Sequence, residues 1–494
     1  MKTDYSLKKL FQISKKFPST VAVRDSKKDY TYKTFLNMVL NISKKISFKR
    51  KNSIIAIIGE KNILSYVSMF GALMSGSTYI PISSNLPIKR IIKIINKGKA
   101  NIIICNSKKI DFYKKLFPKK FFFTEKNLSA KESDYKIAKK KVNKLAYIIF
   151  TSGSTGEPKG VCVSRESLDH YVKWLNLNFN IKKGYNCSQF PEISFDLSVA
   201  DIYGTLCSGG TLIPARTAYE KLFPGRFIKN KKINFLVCVP SLIDVIKSSS
   251  DLTKKNLKSL KSIFFCGEAL LKSQVESIFK IKKDIRIINA YGPTEATVSC
   301  THKEVRYKDL KDKKFHSISI GVPIPGMEIK LLDNQKFSKK KGEIIIYGSQ
   351  IAEGYLNKKE NRNKFFYSKK IGSYYKTGDY VVVHKNEMYF KNRIDNQVKI
   401  KGHRIELDEI TSSLIKFGIK KIHTIAFDNK IVAFYTDKKK FDKKSIDVYL
   451  RNNIPEYMIP NYLFKIKKFP LTQNIKLNIN SLIQIAKKKI NVQR

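Results

Sequence analysis

The chain is poor in several residue types, and each scarcity excludes something. It has one tryptophan, six histidines and seven cysteines in 494 residues. The cysteines (Cys105, Cys162, Cys187, Cys207, Cys238, Cys266, Cys300) are scattered, odd in number and without a CxxC pair. That argues against a disulfide framework or a structural zinc site and fits a reducing, cytoplasmic setting. The histidines (His170, His302, His316, His384, His403, His423) show no metal-ligand spacing. No apolar run approaches the ~18 residues that a bilayer span requires, so no membrane insertion is expected. The first 17 residues alternate lysine with apolar residues, which is not a secretory signal pattern. Acidic residues are few, 40 against 96 Lys+Arg, for a net charge of +56. Arginine, the usual reader of base edges, is outnumbered about six to one by lysine. The lysines are spread along the chain, with short runs such as those at 339–341, 438–440 and 487–489. No nucleic-acid partner is therefore expected, although such a field attracts acidic partners.

Apolar residues make up 42% of the chain and aromatics 12%, enough for a sizeable core. The length suggests two to four structural units. Ile88, Ile91, Ile92 and Ile95 recur at helical spacing and predict a helix over 88–95. Ala146–Phe150, Ser262–Phe265 and Ile285–Ile288 read as buried strands. Each delivers a glycine-rich or polar loop at its carboxyl end, where open α/β sheets bind ligands. From about 320 to 400 short β-like runs follow (Glu343–Tyr347, Tyr380–His384, Met388–Phe390), broken by Gly, Asn and Asp. The last hundred residues mix short strands and helices. The pattern describes a large α/β body with a smaller C-terminal α+β piece.

Two segments carry chemistry. Thr151-Ser-Gly-Ser-Thr-Gly-Glu-Pro-Lys159-Gly160 follows a predicted strand. Its glycines let backbone approach an anion, its four hydroxyls donate hydrogen bonds and Lys159 adds a point charge, which suits a polyphosphate. The spacing is not that of a Walker loop. Asn289-Ala-Tyr291-Gly-Pro-Thr294-Glu295 is read as the loop after another strand. An amide reads a base edge, an aromatic ring stacks on it, and a carboxylate holds Mg²⁺.

These segments, with six others in order, resemble the adenylate-forming superfamily of acyl-CoA synthetases, luciferases and peptide-synthetase adenylation domains. The others are Ser194-Phe-Asp196-Leu-Ser-Val199, Phe265-Cys-Gly267-Glu268, Gly342-Glu-Ile with Glu353-Gly-Tyr-Leu356, Tyr375-Lys-Thr-Gly-Asp379, Arg393-Ile-Asp395 running to Gly402-His-Arg-Ile-Glu406, and Pro455–Pro460 before a final loop at Lys476. The resemblance implies a large N-terminal α/β body, made of two sheet-and-helix subdomains and a distorted β-barrel (1–392). It also implies a hinge (393–397, at Asp395) and a small mobile C-terminal α+β domain (398–494). Thr151, Ser152, Thr155 and Lys159 would handle the β- and γ-phosphates. Asn289 would meet the adenine amino group and Tyr291 its face, Gly267, Glu268, Ala290 and Gly292 would also bind ATP, and Thr294 would meet the α-phosphate. Glu295 would hold Mg²⁺, Asp379 the ribose hydroxyls with Arg393 beside it, and Lys476 would bridge substrate carboxylate and α-phosphate. Gly402 would reach a thiol tunnel. In the final loop Ile475, Asn478 and Ile479 depart from the family's Gly, Asp and Arg, and Arg165 replaces a usual histidine.

Asp196 discriminates among substrates. By the resemblance it pairs with a substrate ammonium, whereas a simple acyl pocket does not favour an unpaired buried carboxylate. A bare alternative is a helix cap. The remaining lining by position is Leu197, Ala200, Val237, Phe264, Cys266, Ala290, Val298 and Ser299, all apolar or small. A small amino acid is expected, and the local strings resemble the D-alanine–D-alanyl carrier protein ligase branch. The partner implied is an acidic phosphopantetheinylated carrier protein in trans, since no carrier segment follows Lys476. A monomer using ATP and Mg²⁺ is expected. Two readings compete: a CoA ligase of a small carboxylic acid, and a non-catalytic, polyanion-binding protein that keeps the fold.

Overall fold

The computed structural model describes residues 4–25, 28–49, 52–132, 142–153, 156–312, 314–368, 372–437, 439, 441–471 and 477–492. The chain divides into two compact units. The first comprises residues 1–84, 95–150 and 160–394; the second comprises 85–94, 151–159 and 395–494.

The first unit is built on three sheets. One has six strands in the order Phe121–Phe123, Ile102–Cys105, Ile54–Gly59, Thr78–Ser83, Leu145–Thr151, Lys159–Ser164. Its central strand, Ile54–Gly59, is apolar throughout and pairs in parallel on both sides, with Ile57 opposite Pro81 and Ile104. A strand covered on both faces has no polar side to show, hence the unbroken run. The helix Ile63–Met74 is buried at every residue for the same reason.

The second sheet has nine strands, ordered Val322–Pro323, Thr301–Val305, Arg286–Tyr291, Ser262–Phe265, Phe235–Cys238, Asn186–Gln189, Thr211–Pro214, Val21–Arg24, Asp29–Thr31. Side chains alternate between its faces. Ile213, Leu236, Cys238, Ile263, Phe265 and Ile287 enter one core. Phe235, Val237, Phe264, Cys266, Ile288 and Ala290 enter another, with the helix Leu197–Leu206. Four of the expected pocket residues thus share one sheet face by strand periodicity alone. The third sheet is the distorted barrel-like element, from Met327–Asp333 through the thirteen-residue strand Gly372–His384 to Glu387–Arg393. All seven cysteines are buried and free. No helix among the described residues is long and apolar enough to cross a membrane.

The second unit contains a hairpin, Gln397–Ile400 with His403–Glu406. Its two-residue turn places Lys401 (φ 49°) and Gly402 (φ 77°) in the left-handed region that a right-twisted hairpin requires. A three-stranded sheet (Ile422–Phe427, Lys430–Tyr435, Tyr462–Lys465) packs with the helices Leu407–Phe417, Lys443–Arg451 and Ile479–Val492.

The helix expected over 88–95 is Ile88–Lys97; Ile88 is 37% exposed, and the buried positions are Arg90, Ile91, Ile94 and Ile95. Arg90 is held inward by its ion pair with Glu409 of the same unit. One expectation needs correction. Asn289, Ala290 and Tyr291 are not in a loop after a strand: the strand runs through them, Arg286–Tyr291, paired to Thr301–Val305.

Ile57 is 1% exposed at the centre of its sheet. Ile57→Ala should cost about 3–4 kcal/mol, read as a lowered urea midpoint.

Candidate active site

One part of the candidate site is assembled in the first unit from three strands. Tyr291, last residue of its strand, donates its hydroxyl to Asp379 Oδ2 at 2.6 Å. Arg393, directly opposite Asp379 in the neighbouring strand, donates from Nη1 to Asp379 Oδ1 at 2.6 Å and from Nη2 to the Thr377 carbonyl at 3.1 Å. Thr377 Oγ1 accepts the Asp379 N–H at 3.0 Å. Asp379 is 2% exposed, so its charge is held by pairing rather than by water. Burial, with Asp379's charge next, lifts the Tyr291 hydroxyl well above the ordinary phenol range, so it remains a donor. Two residues earlier, Asn289 donates from Nδ2 to the Ser319 carbonyl at 2.8 Å. Its Oδ1 is buried and has no partner among the described residues. A fixed amide with an unmet acceptor fits an exocyclic amino group.

Glu295 is fully buried and accepts the Tyr355 hydroxyl at 2.6 Å. One positioned carboxylate is the usual protein share of a Mg²⁺ site, because that ion keeps waters and leans on substrate phosphates. Thr294 starts the same short 3₁₀ turn, Thr294–Ala296. Gly292 has no room for a side chain: a Cβ there would lie 2.5 Å from Ser299 Cα. Gly267 (φ 100°) takes a left-handed turn. Glu268 Oε2 accepts the Ser241 N–H at 2.9 Å, so this carboxylate also serves the start of the helix Ser241–Ser248.

The second wall follows along the chain. Asp196 stands at the head of the helix Leu197–Leu206, yet its side chain makes no capping hydrogen bond. The cap explanation of this residue is therefore not what the structure contains. Leu197, Ala200, Val237, Phe264, Cys266, Ala290 and Val298 are all buried. Cys266 Sγ lies 3.8 Å from the Val298 carbonyl. Thr297 (φ 52°) and Val298 (φ 74°) are both left-handed, which is strained for two β-branched residues in succession. Thr297 Oγ1 donating to the Gln350 carbonyl at 2.7 Å, and the Cys300 N–H donating to Tyr291 O at 2.8 Å, hold that bend. Ser299 Oγ meets the Tyr171 hydroxyl at 3.1 Å.

The phosphate-loop segment belongs to the second unit. There Ser152 Oγ donates to the Arg404 carbonyl at 2.8 Å, and the Gly153 N–H donates to Glu409 Oε2 at 3.2 Å. Glu409 also pairs with the buried Arg90. Thr151 ends one strand and Lys159 begins the next. Asp395 opens the main stretch of this unit, and its Oδ1 accepts the Gln397 N–H at 3.4 Å. Thr155 and Lys476 lie outside the described residues.

Sequence reasoning missed several partners. Tyr355 sits inside the Glu353–Leu356 string but carried no assigned role. Tyr171 lies in a helix with no motif around it. Arg165, a departure by sequence, is a structural residue: it donates to the Leu73, Ser77 and Asn143 carbonyls and pairs with Asp4.

A model of the family described as AMP-binding enzyme matches residues 10–356, more than half of the chain. The chain belongs to the AMP-binding enzyme family. It is a member of the adenylate-forming superfamily, and curated relatives agree along nearly its whole length. The D-alanine–D-alanyl carrier protein ligase of Lactococcus lactis subsp. lactis is 30% identical over 502 residues, covering 97% of this chain and 98% of that protein. The ligase of the same name from Listeria monocytogenes serotype 4a is 30% identical over 462 residues, covering 87% of this chain and 89% of that protein. Among solved structures, the Vibrio cholerae adenylation domain AlmE, in complex with glycyl-adenosine-5'-phosphate, has the same fold. Its TM-score is 0.87 at 23% identity, and the match covers 98% of each chain.

Within this AMP-binding enzyme, Arg393→Met leaves the Asp379 carboxylate without its cation. The first unit should lose about 3–5 kcal/mol, read by urea unfolding, and Asp379→Asn in the same chain should restore most of it.

Proposed function

We propose that the chain adenylates a small amino acid with ATP, then transfers it to the phosphopantetheine thiol of a separate carrier protein. Asp196 carries this reading. It is a half-buried carboxylate at the head of the helix Leu197–Leu206 that does not cap that helix, and the buried residues expected to line the pocket, Val237, Phe264, Cys266 and Val298, carry no charge. An ammonium group is the complement of such a site. The relatives' shared name, D-alanine–D-alanyl carrier protein ligase, supports an amino acid of alanine size and a carrier as acceptor.

The chemistry asks little beyond positioning. The amino-acid carboxylate attacks the α-phosphorus, and pyrophosphate leaves. The enzyme supplies neither nucleophile nor strong base; it orients two anions and neutralises developing charge. Asn289 Oδ1 takes the adenine amino group, Tyr291 offers its ring face, and Asp379, steadied by Arg393, receives the ribose hydroxyls. Thr294 meets the α-phosphate. Thr151, Ser152, Thr155 and Lys159 hold the distal phosphates, and Lys476 bridges the reacting carboxylate and phosphate. Glu295 would hold Mg²⁺, which when bound neutralises phosphate oxygens. For the second half-reaction a hinge at Asp395 alternates Lys476 with the Gly402 turn. The chain passes from the first compact unit to the second between Ile394 and Asp395, which supports that hinge. The lysine-rich surface favours an acidic carrier and a salt-sensitive encounter. A cytoplasmic monomer fits this role.

ATP–pyrophosphate exchange across a panel of D- and L-amino acids tests the reading. A small amino acid should support exchange, and Asp196→Ala should lower it about a hundredfold, the worth of a buried charge-assisted contact. Exchange with a simple carboxylic acid, indifferent to Asp196→Ala and followed by transfer to CoA, would replace it with the CoA-ligase reading. Transfer to an acidic carrier should slow several-fold between 50 and about 300 mM salt.

A further inference from the structure

The wall beyond Asp196 is not wholly apolar. Ser299 and Tyr171 are both fully buried, and their hydroxyls are 3.1 Å apart. Two hydroxyls carry two protons, and one mutual hydrogen bond uses one of them. The other proton has no acceptor among the described residues. Tyr147, on the strand Leu145–Thr151, adds a fully buried hydroxyl with no partner among the described residues. Buried donors are seldom left unmet in native proteins. Tyr171 is fixed in place: Trp174 stacks on its ring at 5.8 Å and packs on Phe264 at 6.3 Å. It therefore stands over the sheet face that carries Phe264 and Cys266. After burial, nearby charges including Asp196 raise both the Tyr147 and the Tyr171 hydroxyls further, so both lie near the carboxylate assigned to the substrate ammonium.

We propose that this site selects a small amino acid bearing a side-chain hydroxyl, serine first, whose oxygen accepts the free proton of the Ser299–Tyr171 pair. The inference rests on the amino-acid reading of Asp196 and narrows it. Alanine fills less of the same space and leaves the proton unmet. 2-Aminobutyrate fills the space of serine with a methyl group where the hydroxyl stood, and so separates hydrogen bonding from size.

The test is ATP–pyrophosphate exchange by the full-length enzyme with both enantiomers of alanine, serine and 2-aminobutyrate, and with glycine. One enantiomer of serine should exceed the matching alanine and 2-aminobutyrate by about tenfold or more in kcat/KM. Tyr171→Phe should bring the serine to 2-aminobutyrate ratio toward one, mainly through the KM for serine. Ser299→Ala should move it in the same direction and serves where Tyr171→Phe lowers the melting temperature. Preference for alanine, glycine or 2-aminobutyrate would overturn the inference and leave amino-acid activation standing. So would a serine preference that both variants keep. Exchange with no amino acid but with an alkyl carboxylic acid would overturn the amino-acid reading, and the inference with it.

Discussion

The buried Asp379 carboxylate is the constraint from which the site follows. It is held by Tyr291 on one oxygen and Arg393 on the other. Those three residues come from three strands, of two different sheets. A carboxylate at 2% exposure that lost Arg393 would be left without its cation in a medium that penalises it by several kcal/mol. Folding therefore closes on one relative position of the nine-stranded sheet and the barrel-like sheet. Once Tyr291 is fixed, Asn289 is fixed two residues upstream with its acceptor open, and Gly292 is fixed one residue downstream against Ser299. The amide proposed to meet the adenine and the proposed substrate wall are then two parts of one short path, residues 289–300.

That path turns back on itself through Thr297 and Val298. Left-handed backbone at two β-branched residues costs about 1–3 kcal/mol each, and it persists only where neighbours over-determine it. Here a hydroxyl from Thr297, a backbone hydrogen bond from Cys300 and the Cys266 thiol all close on the bend. The strain has a local consequence. It sets the Ser299 hydroxyl against Tyr171, and it lets Gly292 touch the backbone of the returning segment.

The sequence made the sheets easy to read where both faces are buried. Ala146–Phe150 and Ile263–Phe265 are continuous apolar runs, and they lie in the strands Leu145–Thr151 and Ser262–Phe265. The helix over Ile88–Lys97 was legible as a helix, while its buried face was not. An arginine at position 90 reads as solvent-facing until Glu409, 319 residues away, is placed beside it. The same limit applies to the site. Asn289, Tyr291, Glu295 and Asp379 stand in recognisable strings. Tyr355, Tyr171 and Thr377 earn their positions through hydrogen bonds to residues far along the chain, and no local pattern encodes such contacts. Glu268 was legible as a motif residue, but its bond to Ser241 was not. The great excess of lysine told little about the site, where the charges that matter are single buried groups.

Two carboxyl groups on one stretch of chain show how burial assigns roles here. Asp196 sits at the head of the helix Leu197–Leu206, and Asp201 lies inside it, fully buried, with both oxygens unpartnered among the described residues. Burial lifts Asp201 well above the ordinary carboxylate range, and the nearby Lys61 only partly opposes that. Burial at that depth disfavours the ionised form of Asp201. Asp196, at the head of the same helix, is only half-buried, so on the amino-acid reading it is the more accessible of the two carboxyls to a substrate ammonium.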